Sequence, residues 1–156
     1  MATMVSRFLE IADLLIKEGG NNSAYRRRAV STAYYSVFHS LAKLCADHLL
    51  PVERTTEEYT RVYRALEHGS LKSAFSVKDS PLKRKATLRT IGDLLVRLQS
   101  ERFKADYLPP IKNVFPRGKA EDLVDQARQA VGLIESLSEE DRNSLAAYLL
   151  FKNRQS

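Results

Sequence analysis

Arg61, Arg64 and His68 are spaced i, i+3 and i+7, which on one helix would align all three on one face. That trio suits phosphodiester chemistry. A histidine titrates near neutral pH and can take the proton of a ribose 2′-hydroxyl. A guanidinium supplies fixed positive charge, two donors at a time, where negative charge builds on a phosphate. Cleavage of RNA without a metal needs both, with His68 as acid/base and Arg61 and Arg64 on the phosphate as the candidate catalytic set. The competing structural reading pairs the two arginines with Glu57, Glu58 and Glu67 and lets Gly69 end the helix beside His68.

Three further candidates lie in Arg102-Phe103-Lys104-Ala105-Asp106-Tyr107. Asp106 could position a ribose or pair with Arg102, and Tyr107 could hydrogen-bond a phosphate. The alternative is a carboxylate and a phenol that pin a loop to the fold. Lys83, Arg84 and Lys85, with Arg89, form a basic run able to make non-specific phosphate contacts, or simply a solvated face. His39 stands among aromatics and is expected as a packed, hydrogen-bonded residue; His48 lies near a helix C-terminus. The three histidines offer no metal-ligand spacing and there is no glycine-rich phosphate loop, so neither a metal nor a cofactor is expected.

Charge distribution points the same way as the candidates. Residues 54–119 hold 15 of the 25 Lys and Arg but only 7 of the 19 Asp and Glu. A basic middle between near-neutral flanks suits a surface facing a polyanion, although Lys- and Arg-rich solvated helix faces would give the same count. No run approaches the roughly 20 apolar residues of a membrane span, and the N-terminus does not read as a signal sequence. The single Cys45 lies in an apolar run and reads as a small core residue. A cytoplasmic location away from membranes is the expectation.

The elements that must position these residues are helices. Residues 6–18 carry one apolar face, stopped by Gly19-Gly20-Asn21-Asn22. Ser23 can cap a second helix that reaches about Leu50. Thr55 or Thr56, followed by Glu57 and Glu58, starts a third that carries Val62, Tyr63, Leu66 and Leu71 to about Phe75. Asp79-Ser80-Pro81 starts a fourth, which ends near Phe103. Residues 106–118, with prolines at 109, 110 and 116, read as an ordered loop. A last helix or helix pair runs from about Lys119 to Lys152, broken where Ser138 can cap a second piece. The expectation is one all-α domain over residues 1–156, an up-and-down bundle of five to six helices. Tyr34, Val37, Leu41, Leu66, Leu94 and Leu98 should share its core.

Within the second helix, Arg26-Arg27-Arg28 is followed by Ala33-Tyr34-Tyr35-Ser36-Val37-Phe38-His39. This run resembles the signature helix of the HEPN domains, small helical prokaryotic proteins that include RNA-cleaving toxins and partners of nucleotidyltransferase-like antitoxins. The resemblance covers most of the chain. HEPN ribonucleases carry an Arg, four to six residues, then a His, a spacing Arg61 and His68 meet. In the toxins that motif often sits on a late helix with a Tyr after it. Here Arg102 and Tyr107 are present, but Ala105 and Asp106 stand where the histidine is expected, so the chain is similar to a variant branch reading Ala-Asp-Tyr. The resemblance implies RNA or a nucleotide as ligand and a homodimer, which the small residues of the second helix would support. It also implies a nucleotidyltransferase-like antitoxin as partner in a toxin–antitoxin or defence system. Two functions follow: a nucleic-acid-directed protein acting as a metal-independent endoribonuclease, or a non-catalytic module binding a nucleotide, nucleic acid or protein.

Overall fold

The computed structural model describes residues 2–52 and 56–152, and among them the fold is all-α. Seven helices follow in order: α1 (Met4–Gly19), α2 (Ser23–Leu49), α3 (Glu57–Tyr63), α4 (His68–Ser76), α5 (Ala86–Tyr107), α6 (Arg117–Glu135) and α7 (Glu139–Leu150), with a 3-10 turn at Pro81–Lys83. That is more than the five or six expected, and the extra one comes from the third segment.

Local sequence explains most boundaries. Thr3 caps α1 in a reciprocal box with Ser6, and Gly20, at φ 53°, ends it in a conformation other residues resist. Asn22, rather than Ser23, caps α2: its side chain accepts from the Ala24 amide. Thr56 caps α3 and Ser138 caps α7, each ahead of acidic residues that suit the positive helix N-terminus. Thr55, the other candidate cap, lies outside the described residues.

Several boundaries differ from expectation, the first for a tertiary reason. The segment expected as one helix to Phe75 leaves the helix after Tyr63 and restarts at His68. No glycine or proline causes this; Gly69 sits in the first turn of α4 instead of ending a helix. The break lets Leu66 enter the core while Tyr63 and His68 each bond a residue of α2. At the other end, α5 continues through Asp106 and Tyr107. Only Leu108, the residue before Pro109, turns extended, as a proline demands of its predecessor. Arg117 and Gly118, expected in the loop, form the first turn of α6, and Pro81 opens a short 3-10 turn, leaving α5 to begin at Ala86.

The central element is α2, which packs on α1, α3, α5, α6 and α7. Its stripe of Val30, Ala33, Tyr34, Val37, Leu41 and Leu44 is buried, joined in one core by Leu66, Leu88, Leu95, Leu98, Leu123 and Leu145. Leu94 packs against that core half-buried. Truncating a fully buried leucine such as Leu98 to alanine should cost about 2–5 kcal/mol. The small residues Ala29, Ser31, Ala33, Ser36 and Ser40 are also buried, so that face of α2 is used inside the chain and is not free for a second copy. Cys45 is fully buried, and burial pushes its thiol up to about 12. At the α4–α5 contact, Gly92 faces the Phe75 ring where a Cβ would collide. Among the described residues no helix is long and apolar enough to cross a membrane.

Candidate functional site

His68, the first residue of α4, is half-buried against three aromatic rings of α2. Its ring lies 4.5 Å from Phe38, 5.6 Å from Tyr34 and 5.9 Å from Tyr35, centroid to centroid. Its Nδ1 is 2.6 Å from the Tyr34 hydroxyl, and its backbone carbonyl accepts from Gln99 Nε2 at 2.9 Å. α2 therefore holds the imidazole through the phenol, and α5 holds the His68 backbone through the Gln99 amide. With Nδ1 engaged, Nε2 is the ring atom left for proton transfer, and among the described residues it has no hydrogen-bond partner.

Arg102 completes the cluster from α5. Its guanidinium lies over Tyr34 at 5.2 Å and Tyr35 at 5.9 Å, and NH1 is 3.6 Å from Asp106 Oδ2 one turn on. Asp106 Oδ2 also accepts from Ser31 Oγ at 3.3 Å, which ties the ion pair to α2. Arg102 is 9% exposed, and its Nε is buried without a hydrogen-bond partner among the described residues. A buried guanidinium with a donor to spare favours a nearby anion.

The electrostatics follow from this packing. Burial and the Arg102 charge both hold the His68 imidazole below its ordinary range, so it is neutral at pH 7. Burial drives the Tyr34 phenol far above its usual range, although Arg102 opposes the shift, and Tyr34 stays a neutral hydroxyl beside His68. A neutral imidazole oriented by a phenol, next to a fixed cation, can accept a proton while the cation steadies an anion.

The other sequence candidates are placed differently. Arg61 is in α3 and Arg64 is its C-cap; both are exposed, and since the helix breaks between Arg64 and His68 the three share no helix face. Neither arginine side chain makes a hydrogen bond or ion pair among the described residues, nor do Glu57, Glu58 and Glu67 pair with them. Tyr107 is 66% exposed, its ring 5.0 Å from Phe103. Lys83 Nζ donates to the Ser76 carbonyl and Arg84 is exposed. Lys85 is committed to α7 through Glu140 at 3.0 Å and Asp141 at 2.8 Å. None of the basic run joins the His68 cluster.

Tyr34, Ser31 and Gln99 belong to the site, yet their sequence context hides it. Tyr34 reads as one more member of the apolar stripe; the doubled Tyr34-Tyr35 was the available signal. Arg26 and Arg27 hold the loop after α5: Arg26 donates to the Phe115 carbonyl, Arg27 to those of Ala105, Leu108 and Pro109. A separate cavity of about 490 Å³ lies where α2 ends beside α7, lined by Lys43, Asp47, His48, Glu135, Glu139 and Arg142. Lys43 pairs there with Asp47 at 2.8 Å, and Arg142 donates to the Glu135 backbone carbonyl. No group of three or more His, Cys, Asp or Glu that could hold a metal ion occurs among the described residues.

Compared with known proteins, the chain matches no family model, no curated protein and no solved structure. The site's own geometry carries the functional argument.

Proposed function

We propose that this chain is a nucleic-acid-directed protein of the HEPN type whose His68–Tyr34–Arg102 cluster cleaves RNA without a metal. The observation that carries the reading is a neutral imidazole, bonded through Nδ1 to a phenol, beside a buried guanidinium with an unused donor. His68 Nε2 takes the proton of the 2′-hydroxyl in the tautomer whose Nδ1–H donates to Tyr34 Oη. The freed oxygen attacks the adjacent phosphorus to form a 2′,3′-cyclic phosphate, and the 5′-oxygen of the next nucleotide leaves with the proton that the His68 imidazolium returns. Arg102 offsets the charge that grows on the phosphate, with Arg61 and Arg64 as outlying contacts. The basic excess of residues 54–119 draws the polyanion in.

A second reading is a non-catalytic HEPN module that binds a nucleotide, nucleic acid or protein. The burial of Arg102 and its pairing with Asp106 favour it, because a phosphate must then compete with a carboxylate in place. Incubating labelled RNA with the protein in chelator separates the two: cleavage lost in His68→Ala supports the first, binding without cleavage leaves only the second. The resemblance further implies a homodimer and a nucleotidyltransferase-like antitoxin. Sedimentation at tens of micromolar protein tests the dimer, and co-purification with a neighbouring gene product tests the partner.

A further inference from the structure

Phe103 and Tyr107 are two large aromatic side chains left in solvent at the end of α5, 58% and 66% exposed, with ring centroids 5.0 Å apart at an interplanar angle of 49°. A lone exposed aromatic needs no explanation, but a contacting pair beside a candidate site does. Helical spacing puts Gln99, Phe103 and Tyr107 in one row, adjacent to the row of Arg102 and Asp106. Gln99 holds the His68 carbonyl, so the aromatic row begins where the His68 backbone is anchored and runs away from it.

The surroundings are charged for a polyanion. Arg27 places its guanidinium on the carbonyls of Ala105, Leu108 and Pro109, which covers the negative end of the helix dipole beside Tyr107. Arg28, one turn before the Ser31 that bonds Asp106, and Arg64, just before α4, are exposed and unpaired among the described residues. The opposing acids are Asp106, already held by Arg102, and the exposed Glu67. Flat π-faces next to the Arg102 row, with the Arg27 guanidinium at the helix end, match the two components of a nucleic-acid strand whose bases are not already stacked in a duplex. Each base can lie on a ring while its phosphates meet the arginines.

We infer that Phe103 and Tyr107 form a stacking platform for unpaired bases, so that the nucleic acid this site takes is single-stranded. The inference rests on the nucleic-acid reading above and deepens it by naming the form of the strand. A base-paired stem offers the same phosphates but keeps its π-faces inside the stack, and it gains nothing from the two rings.

The test uses 2′-O-methyl RNA strands, which have no 2′-hydroxyl to attack and stay intact. A strand carrying bases and an abasic strand of the same length present equal phosphate charge. The protein has no tryptophan, so Phe103→Trp provides a single indole reporter at the platform. The base-bearing strand is expected to quench that indole and to bind about tenfold or more tightly than the abasic strand. Phe103→Ala with Tyr107→Ala should erase the difference and keep the salt dependence, which belongs to the arginines. Equal affinity for both strands, with no quenching, overturns the platform and leaves the nucleic-acid reading standing. Binding of neither strand at low salt removes that reading and the platform with it. A wild-type dimer that the double variant converts to a monomer would make the pair a face between copies and also overturn the proposal. If the double variant does not fold, the quenching comparison decides alone.

Discussion

The same side-chain pair is built twice on α2, with tyrosine and histidine exchanged between the helices. Tyr34 of α2 meets His68 of α4 at 2.6 Å, and His39 of α2 meets Tyr63 of α3 at 2.5 Å. In both, burial lowers the histidine below its ordinary range and raises the tyrosine. The difference lies in the neighbours. His39 is enclosed by Phe8, Phe38 and Tyr63, whereas His68 has aromatics on α2 and the Arg102 guanidinium beyond Tyr34. A phenol–imidazole bond is thus a fastener in one place and the core of a candidate site in the other; the nearby cation makes the distinction. The His39 pair is an internal control for anything claimed of His68.

The largest expected effect uses that control directly. His68→Ala should lower RNA cleavage in chelator by about 10²–10⁴-fold, the usual contribution of a positioned acid/base. His39→Ala removes an equivalent bond and should leave cleavage within a few-fold, with both variants showing similar loss in thermal melts. Equal loss of cleavage in the two would mean that each histidine merely holds its helix to α2.

Next come the phenols. Tyr34→Phe and Tyr63→Phe each strand a ring nitrogen in a partly buried setting, which should cost about 1–3 kcal/mol in urea unfolding. Only Tyr34→Phe should also slow cleavage, because only there does the phenol orient a reacting imidazole. If Tyr34→Phe destabilises the protein but cleaves RNA like wild type, Tyr34 is a core residue that happens to touch His68.

The contrast between the pairs was only half visible in the sequence. His39 could be read as a packed, hydrogen-bonded histidine because Tyr35, Phe38 and the rest of the apolar stripe surround it in sequence. The α2 stripe, the caps at Thr56 and Ser138 and the burial of Cys45 were legible too, since each depends on residues within a turn or two of one another. His68 was legible as a candidate for a reason the fold does not honour. The i, i+3, i+7 spacing aligns the three only in a helix through Arg64–Glu67, and nothing local breaks one there. The break comes from anchors far along the chain, at Tyr34, His39 and Gln99. Arg102 and Asp106 were noted for their own pairing, but that they face Tyr34 and Ser31 depends on how α5 packs on α2. Segment-level patterns contain no such information.

A smaller effect sharpens the comparison at the level of charge. Arg102→Gln removes the cation that, after burial, depresses the His68 imidazole, and it frees the Asp106 carboxylate. In an NMR titration the His68 pKa should move up toward 6.5 while that of His39, lowered by burial alone, stays in place. A His68 that does not move would show that Arg102 is electrostatically remote from the ring, and its assigned role on the phosphate would weaken accordingly.

The smallest effect concerns pH and stability, and its sign follows from both pairs together. In the unfolded chain each histidine returns to an ordinary value near 6.5, whereas in the fold both lie lower. Between those values the unfolded state binds more protons, so unfolding free energy rises with pH in that window. Stability should therefore decline as pH falls from about 7 through 6.5 toward the folded values, with no contribution from these groups above about pH 7.5. Glu101, held below 4.5 by Lys119 and Lys104 against the opposing effect of burial, adds a slope of the same sign, but at the lower pH where carboxylates titrate. The two limbs can be separated by urea midpoints measured from pH 4 to 8. His39→Ala with His68→Ala should flatten the limb near pH 6 and leave the acid limb intact. Arg102→Gln should flatten it only in part, because it relieves one histidine of the two and leaves in place the depression that burial imposes on both. An unchanged slope near pH 6 in the double variant would mean that neither imidazole is held neutral by the fold, and the neutral base assigned to His68 would lose its physical support.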